Sequence, residues 1–301
     1  MIAELAIDSK DRIGEAPVWI AASQRLLWSD HQTGIVHEAS QVGQKWEECR
    51  RWETGRLIAA TLPRRNGGYA IVGGREISLM SEKGETTLLS KIDVDPKLVK
   101  FNDAKCDVRG RIWSGTFSAD FRKDSGDLYR IDPDGTATRM ETGFTLANGL
   151  DWSPDATQMY ISDSLKQRIE VLEFDAEEGL VSSRRTLIHI ADGLPNGLCV
   201  DVEGHIWVAI TGAGEVRRYT PAGNCIASIA VPVAGVTSCA FGGENGDILF
   251  MTTRSGSLPA VVRELGLKPK MMENEGPGAG GVFLCRPLVH GKPATLFGSL
   301  P

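Results

Sequence analysis

An internal repeat constrains this chain more than any other feature. Six segments share one shape: a short apolar run, a polar turn, and a second apolar run ending in small residues. They are APVWIAASQRLLWSD (16–30), LIAATLPRRNGGYAIVGG (57–74), AKCDVRGRIWSGT (104–116), LDWSPDATQMYISDS (150–164), LCVDVEGHIWVAI (198–210) and CAFGGENGDILFMTT (239–253). β-branched and aromatic residues flank a Gly, Asp, Asn or Pro turn, which is the signature of a β-hairpin. The turns fall near Gln24, Gly67, Gly110, Ala156, Gly204 and Gly246, spaced 43, 43, 46, 48 and 42 residues apart. A second set of hairpins, such as GIVHEASQVGQKWEE and DLYRIDPDGTATRM, lies between them. Four strands per unit of about 45 residues predict an all-β fold, a six-bladed β-propeller. A blade cannot bury both faces alone, so residues 1–301 are expected to form a single domain. The opening IAELAID is expected to pair into the last blade and remove an exposed strand edge. The best helix candidate is PAVVRELGLK at 259–268.

Composition excludes several function classes. The chain is 42% hydrophobic with 34 glycines, which suits a globular protein with many tight turns. A net charge of −6 without Lys/Arg clusters argues against nucleic acid and against an anionic membrane. No apolar run approaches the roughly 18 residues that span a bilayer, and MIAELAIDSKDR lacks the pattern of a secretory leader. The six cysteines contain no CxxC pair, so they are expected to be buried or semi-buried thiols in a reducing, cytoplasmic compartment. The five histidines show no metal-ligand spacing. That speaks against a His-based zinc site and a Ser-His-Asp triad. The long segment 255–281 reads as a loop or lid.

In a propeller the innermost strands border a central channel. Counting back eight residues from each turn, nine in the first unit, gives Glu15, Ala59, Asn102, Asn148, Asn196 and Ser238. Each has an ordinary reading by itself: a loop carboxylate, an Asn-Gly turn, an Asx-turn. A turn signal does not explain why Glu15 shares their register, so the common phase predicts one polar site. One carboxylate with neutral amide oxygens suits Ca²⁺, Mg²⁺ or Mn²⁺ better than a thiolate-loving metal.

Many motifs then appear in one order: GEAPVW at 14–19, LLWSD at 26–30, KFNDAKCDVRGRIWSGT at 100–116 and NGLDWSPD at 148–155. YISDS at 160–164, NGLCVDVEGHIWVA at 196–209, TSCAFGG at 237–243 and AGGVF at 279–283 follow. With these the chain resembles the senescence marker protein (regucalcin), gluconolactonase and luciferin-regenerating enzyme family over nearly its whole length. The resemblance implies a six-bladed propeller with a divalent ion on its axis and hydrolysis of lactones, often sugar lactones. Glu15 and Asn148 match metal ligands, and Asn102 matches a residue at the metal and substrate. Lys100 stands where relatives carry a substrate-contacting Arg, and Asp120 matches an acidic residue that touches sugar hydroxyls. The departure is Asn196, where the family reads Asp, both metal ligand and general base. An amide oxygen still ligates a cation but accepts no proton at neutral pH.

The expectation is therefore metal-assisted hydrolysis of a small-molecule lactone by a monomer or weak homo-oligomer. Glu15, Asn148 and Asn196 hold the ion. Ca²⁺ is the first choice, with Mg²⁺, Mn²⁺, Zn²⁺ or Fe²⁺ as alternatives. Asn196 and Asp103 are the catalytic candidates, Asp103 as proton acceptor or else as a structural partner of Lys105. Lys100, Asn102 and Asp120 contact substrate, and Asp192 is a substitute base. Rival readings are a binding propeller with weak or no lactonase activity, and a hydrolase of other esters or organophosphates.

Overall fold

Each repeat folds into one sheet of four antiparallel strands, and the six sheets form a ring. The structure, a computed structural model, describes residues 1–258, 262 and 276–298. After the opening strand β1 (Glu4–Ile7), blade 1 comprises β2 (Gly14–Ile20), β3 (Arg25–Asp30), β4 (Ile35–Val42) and β5 (Lys45–Glu53). Blade 2 comprises β6 (Ala60–Pro63), β7 (Tyr69–Gly73), β8 (Glu76–Met80) and β9 (Thr86–Lys91). Blade 3 holds β10 (Val99–Cys106), β11 (Ile112–Ser118), β12 (Gly126–Ile131) and β13 (Ala137–Phe144). Blade 4 holds β14 (Ala147–Trp152), β15 (Gln158–Asp163), β16 (Arg168–Asp175) and β17 (Leu180–His189). Blade 5 is β18 (Leu194–Val200), β19 (Ile206–Thr211), β20 (Glu215–Tyr219) and β21 (Cys225–Ala230). Blade 6 is β22 (Val236–Gly242), β23 (Ile248–Thr253) and β24 (Val282–Cys285), completed by β1.

The six expected turn residues, Gln24, Gly67, Gly110, Ala156, Gly204 and Gly246, all lie between the first and second strands of their blades. All take positive φ, from 53° to 84°. As expected, β1 pairs antiparallel with β24 and closes the ring. The first strands β2, β6, β10, β14, β18 and β22 contact one another in sequence around the axis. The second strands are packed between neighbouring blades and are almost wholly buried, which is why they read as continuous apolar runs. Trp28, Trp113 and Trp207 are fully buried there. Their indole N–H groups donate to Asp11, Asp107 and Asp201 at 2.9, 2.8 and 2.9 Å.

Five of the six innermost strands carry a register shift near the axial positions. The shifts fall at Glu15/Val18, Phe101/Ala104, Ala147/Leu150, Pro195/Leu198 and Val236/Ser238. Strand β6, which follows Ala59, pairs without one. A bulge re-aims a side chain that a regular pleat would point elsewhere.

One detail differs from expectation. Cys49 and Cys225 are exposed, because they lie on the outermost strands β5 and β21; Cys106, Cys199 and Cys239 are buried as expected. The helix candidate at 259–268 lies outside the described residues, apart from Val262. Among the described residues no helix is long and apolar enough to cross a membrane.

Candidate metal and substrate site

Glu15, Asn102, Asn148 and Asn196 come from four different blades and line one cavity of about 140 Å³. The three amides are anchored alike, each toward the next blade. Asn102 Nδ2 donates to the Ala147 carbonyl at 2.9 Å. Asn148 Nδ2 donates to Ser164 Oγ at 3.0 Å, and that hydroxyl donates to the Pro195 carbonyl at 2.7 Å. Asn196 Nδ2 donates to Thr211 Oγ1 at 3.0 Å, and Thr211 donates onward to the Val236 carbonyl. With the nitrogens engaged, the oxygens remain as acceptors. Asn196 Oδ1 is buried and has no hydrogen-bond partner.

That orphaned oxygen is the test of whether a cation fits. A buried acceptor left unmade costs about 1–3 kcal/mol, and an ion among the axial oxygens would satisfy it. One carboxylate and two amide oxygens form a hard donor set, of the kind that holds Ca²⁺ or Mg²⁺ with water completing the shell. The donors present fit such an ion.

Burial, followed by the charge of Asp103, pushes the Glu15 carboxyl well above the usual carboxylate range; Arg254 opposes them. Asp103 is buried and raised by that burial to about 6, with the Lys105 charge and the Ala104 amide pulling it back. It does not line the cavity. Its Oδ1 accepts from Ala104 N at 2.7 Å. Lys100 and Asp120 are also outside the cavity lining. Lys100 lies two residues before Asn102 on β10, and Asp120 is exposed in the turn after β11, next to Phe121. Ser238 is buried against Gly197. Ala59 is buried in the core, so blade 2 supplies no donor. Asp192 does not line the cavity; its two oxygens accept from Arg217 at 2.8 and 2.7 Å.

The cavity also holds groups that the eight-residue phase missed. His31 and Arg254 line it, as do Phe117 and Phe121, whose rings stack with centroids 5.6 Å apart. Burial lowers the His31 imidazole from its ordinary value, against the pull of Asp30, so it is neutral near pH 7. The Arg254 guanidinium is held by the carbonyls of Gly256, at 2.9 Å, and Ser257. A signal for some of these was present in the sequence. LLWSDH and QMYISDS end their second strands in the same phase, placing His31 and Ser164 at matching positions, and Arg254 follows β23 in the same way.

A second ligand-type group, Asp201, Glu203 and His205, lies within 4.8 Å. It is the hairpin turn of blade 5. Asp201 Oδ1 accepts from the Glu203 and His205 amides as Asp107 Oδ1 does from those of Arg109 and Arg111 in blade 3. Arg218 Nη2 occupies the centre, bonding to Asp201, Glu203 and His205 at 2.6, 2.6 and 3.1 Å. A cation there would have to displace it.

The profile of the SMP-30/Gluconolactonase/LRE-like region matches residues 13–255, spanning the axial donors from Glu15 through Asn196. The chain belongs to this family. It is 34% identical to regucalcin of Danio rerio over 83% of this chain and 85% of that protein. Among solved structures, a luciferin-regenerating enzyme superposes with a TM-score of 0.87 at 24% identity, covering 99% of this chain and 100% of the other. Regucalcin from Agrobacterium tumefaciens, described as a calcium-binding protein, gives 0.86 at 24% identity over 98% and 97%. At that identity the two structures establish the shared propeller. Membership of the SMP-30/gluconolactonase family supports a hydrolytic role for this member.

Proposed function

We infer that the protein is a divalent-metal-dependent hydrolase that opens a lactone ring, with aldonolactones as the substrate class and Ca²⁺ as the first-choice ion. The observation that carries this reading is the buried, partnerless Asn196 Oδ1, which shares a cavity with the Glu15 carboxylate and the Asn148 amide. Glu15, Asn148 and Asn196 would hold the ion, and a bound ion there supplies Lewis-acid polarisation of the lactone carbonyl. Asn102 orients the substrate. Lys100 and Asp120 reach its hydroxyls from the rim. The Ser118 hydroxyl and the Arg122 amide keep Asp120 below the usual carboxylate range, so it stays an ionised acceptor.

Asn196 cannot take a proton, so another group must. His31 is neutral and lines the cavity, while Asp103, near 6, follows Asn102 on β10 without lining it. Asp103 has an affinity close to the working pH that general-base catalysis favours, while burial lowers that of His31 from its ordinary value. Water adds to the carbonyl carbon and gives its proton to that base. The ring C–O bond then breaks, and the ring oxygen takes the proton back, leaving an open-chain hydroxy acid.

Two observations favour rival readings. The amide at 196 removes a charge and a base, as expected of a binding propeller with vestigial activity. The stacked Phe117–Phe121 pair favours an aryl ester or organophosphate. The deciding experiment measures hydrolysis of glucono-1,5-lactone, other aldonolactones, p-nitrophenyl acetate and paraoxon, before and after EDTA and after returning each metal. Lactone turnover lost to EDTA and restored by a metal is the expected result. Turnover indifferent to EDTA, or confined to the aryl substrates, overturns the reading. In the same assay His31→Asn and Asp103→Asn identify the proton acceptor by which one removes the alkaline-side plateau.

A further inference from the structure

A second cavity, of about 230 Å³, lies where the innermost strands end, at the mouth opposite the candidate metal site. A strap formed by the C-terminal segment roofs it. Gly291 N donates to the Gly246 carbonyl at 2.8 Å, Phe297 N to Pro63 at 2.9 Å, and Gly298 N to Gly110 at 3.0 Å. The strap is thus tied to blades 6, 2 and 3, and it carries Lys292 over the opening.

Three charged residues line this cavity among those described: Lys105, Asp151 and Lys292. Asp151 is saturated. Its Oδ1 accepts from Lys292 Nζ at 3.0 Å and Trp152 N at 2.8 Å; its Oδ2 accepts from Lys105 Nζ at 3.2 Å and Val200 N at 2.9 Å. Lys105 also donates to the Leu198 carbonyl at 2.9 Å, and Lys292 to that of Trp152. An ammonium has three N–H donors, so each lysine keeps one in reserve. The lining carries two positive charges against one negative. Asp103, two residues from Lys105, offsets part of that lysine's charge from outside the cavity, which leaves Lys292 as the less compensated cation. Trp19 and Trp152 also line the cavity, with their indole N–H groups buried away from its open space. The remaining wall is largely apolar: Val18, Leu62 and Phe241 among others. The capacity open to a ligand is therefore the spare N–H of the lysines, beside an apolar wall.

We propose that this far mouth is a second ligand site, which takes a small monoanion with an aromatic or similarly compact apolar body, such as an aryl carboxylate. Size agrees: a cavity of about 150 Å³ holds benzene, so this one has room for a ring and a carboxylate. The anion meets the free N–H of Lys292, and the ring packs on the apolar wall. Nothing in the proposal depends on the metal site or on turnover.

The probe is benzoate, with benzamide as its neutral isostere, titrated into the full-length protein while the Trp indole ¹H–¹⁵N signals are followed. Trp19 and Trp152 line this cavity, and no Trp lines the other, so shifts of these two signals report the far mouth alone. Saturable shifts with benzoate are expected, with benzamide at least about tenfold weaker, the worth of one charge-assisted hydrogen bond. Lys292→Met is expected to weaken benzoate by a similar factor. The proposal is overturned if benzoate gives no saturable shift of these signals, if benzamide matches it in the wild-type protein, or if a folded Lys292→Met keeps the wild-type affinity. The benzamide comparison needs no variant, so the test stands even if the substitution unfolds the chain.

Discussion

At the scale of single residues, the charge of the candidate metal site rests on Glu15, the one carboxylate among its three proposed ligands. Glu15→Gln leaves only neutral amides, and ligand charge count is a main determinant of Ca²⁺ affinity. Asn196→Asp is nearly isosteric and adds a carboxylate, while Thr211 loses the amide donor that now meets it. The two variants should therefore move metal affinity in opposite directions, read by calorimetric titration of Ca²⁺ and Mn²⁺. If a missing base limits turnover, Asn196→Asp should also raise lactone hydrolysis, within the roughly 10²–10⁴-fold that a positioned base supplies. Equal metal affinity in both variants would remove Glu15 and Asn196 from the site.

At the scale of elements, the inner strands meet so closely around the axis that Asn-Gly in β14 and β18 is a packing requirement. A Cβ on Gly197 would come within 2.0 Å of Ser238 Oγ, and one on Gly149 within 2.3 Å of Leu198 N. Gly197→Ala is expected to cost about 1–3 kcal/mol through overpacking, seen as a lower thermal midpoint. An unchanged midpoint would mean that β18 and β22 can separate freely. Asp151 ties the same strands at their other end, linking β10 through Lys105 and β18 through Val200 N. Although burial works against it, the charges of Lys105 and Lys292 and the two amides hold it at about 2. Its folded value lies below the unfolded value of about 3.9, so its stabilisation is present above about pH 4. That stabilisation is lost as pH falls toward about 2, worth about 2–3 kcal/mol. Chemical denaturation between those pH values should show this loss in the wild type and a flatter profile in Asp151→Asn. An Asp151→Asn profile as steep as the wild type would assign the transition to another carboxylate.

At the scale of the whole molecule, the ring depends on β1, which joins the first residues to the last strand. Glu4 pairs with Leu284 and Leu5 with Phe283, and Ala3 N donates to Ala230 in the neighbouring blade at 2.8 Å. Deleting residues 1–8 exposes the edge of β24 and opens the ring, so the truncated chain should unfold at lower denaturant and aggregate through that edge. A single domain predicts one cooperative unfolding transition for the intact chain, with fluorescence and far-UV circular dichroism coinciding. Separate transitions for the two halves, or a truncation without effect, would divide the ring into independent parts.

The propeller was legible in the sequence because hairpin turns and strands are local: positive-φ turn residues recur every 42–48 residues, and each blade is contiguous except at its β1 closure. The axial donors were legible for the same reason, since a repeating fold converts equal sequence phase into convergence in space. Groups outside that phase were missed, although His31, Ser164 and Arg254 share a phase of their own just after the second strands. His31 and Arg254 reach the cavity from the ends of second strands, and Asp103 does not line it although it is adjacent to Asn102. Asp192 was within four residues of Asn196 yet is engaged by Arg217, because strand pairing and not chain distance sets its neighbours. The far cavity brings together Lys105, Asp151 and Lys292 from blade 3, blade 4 and the C-terminal strap. Their mutual charge balance exists only once the ring has closed, so no local pattern in the chain could carry it.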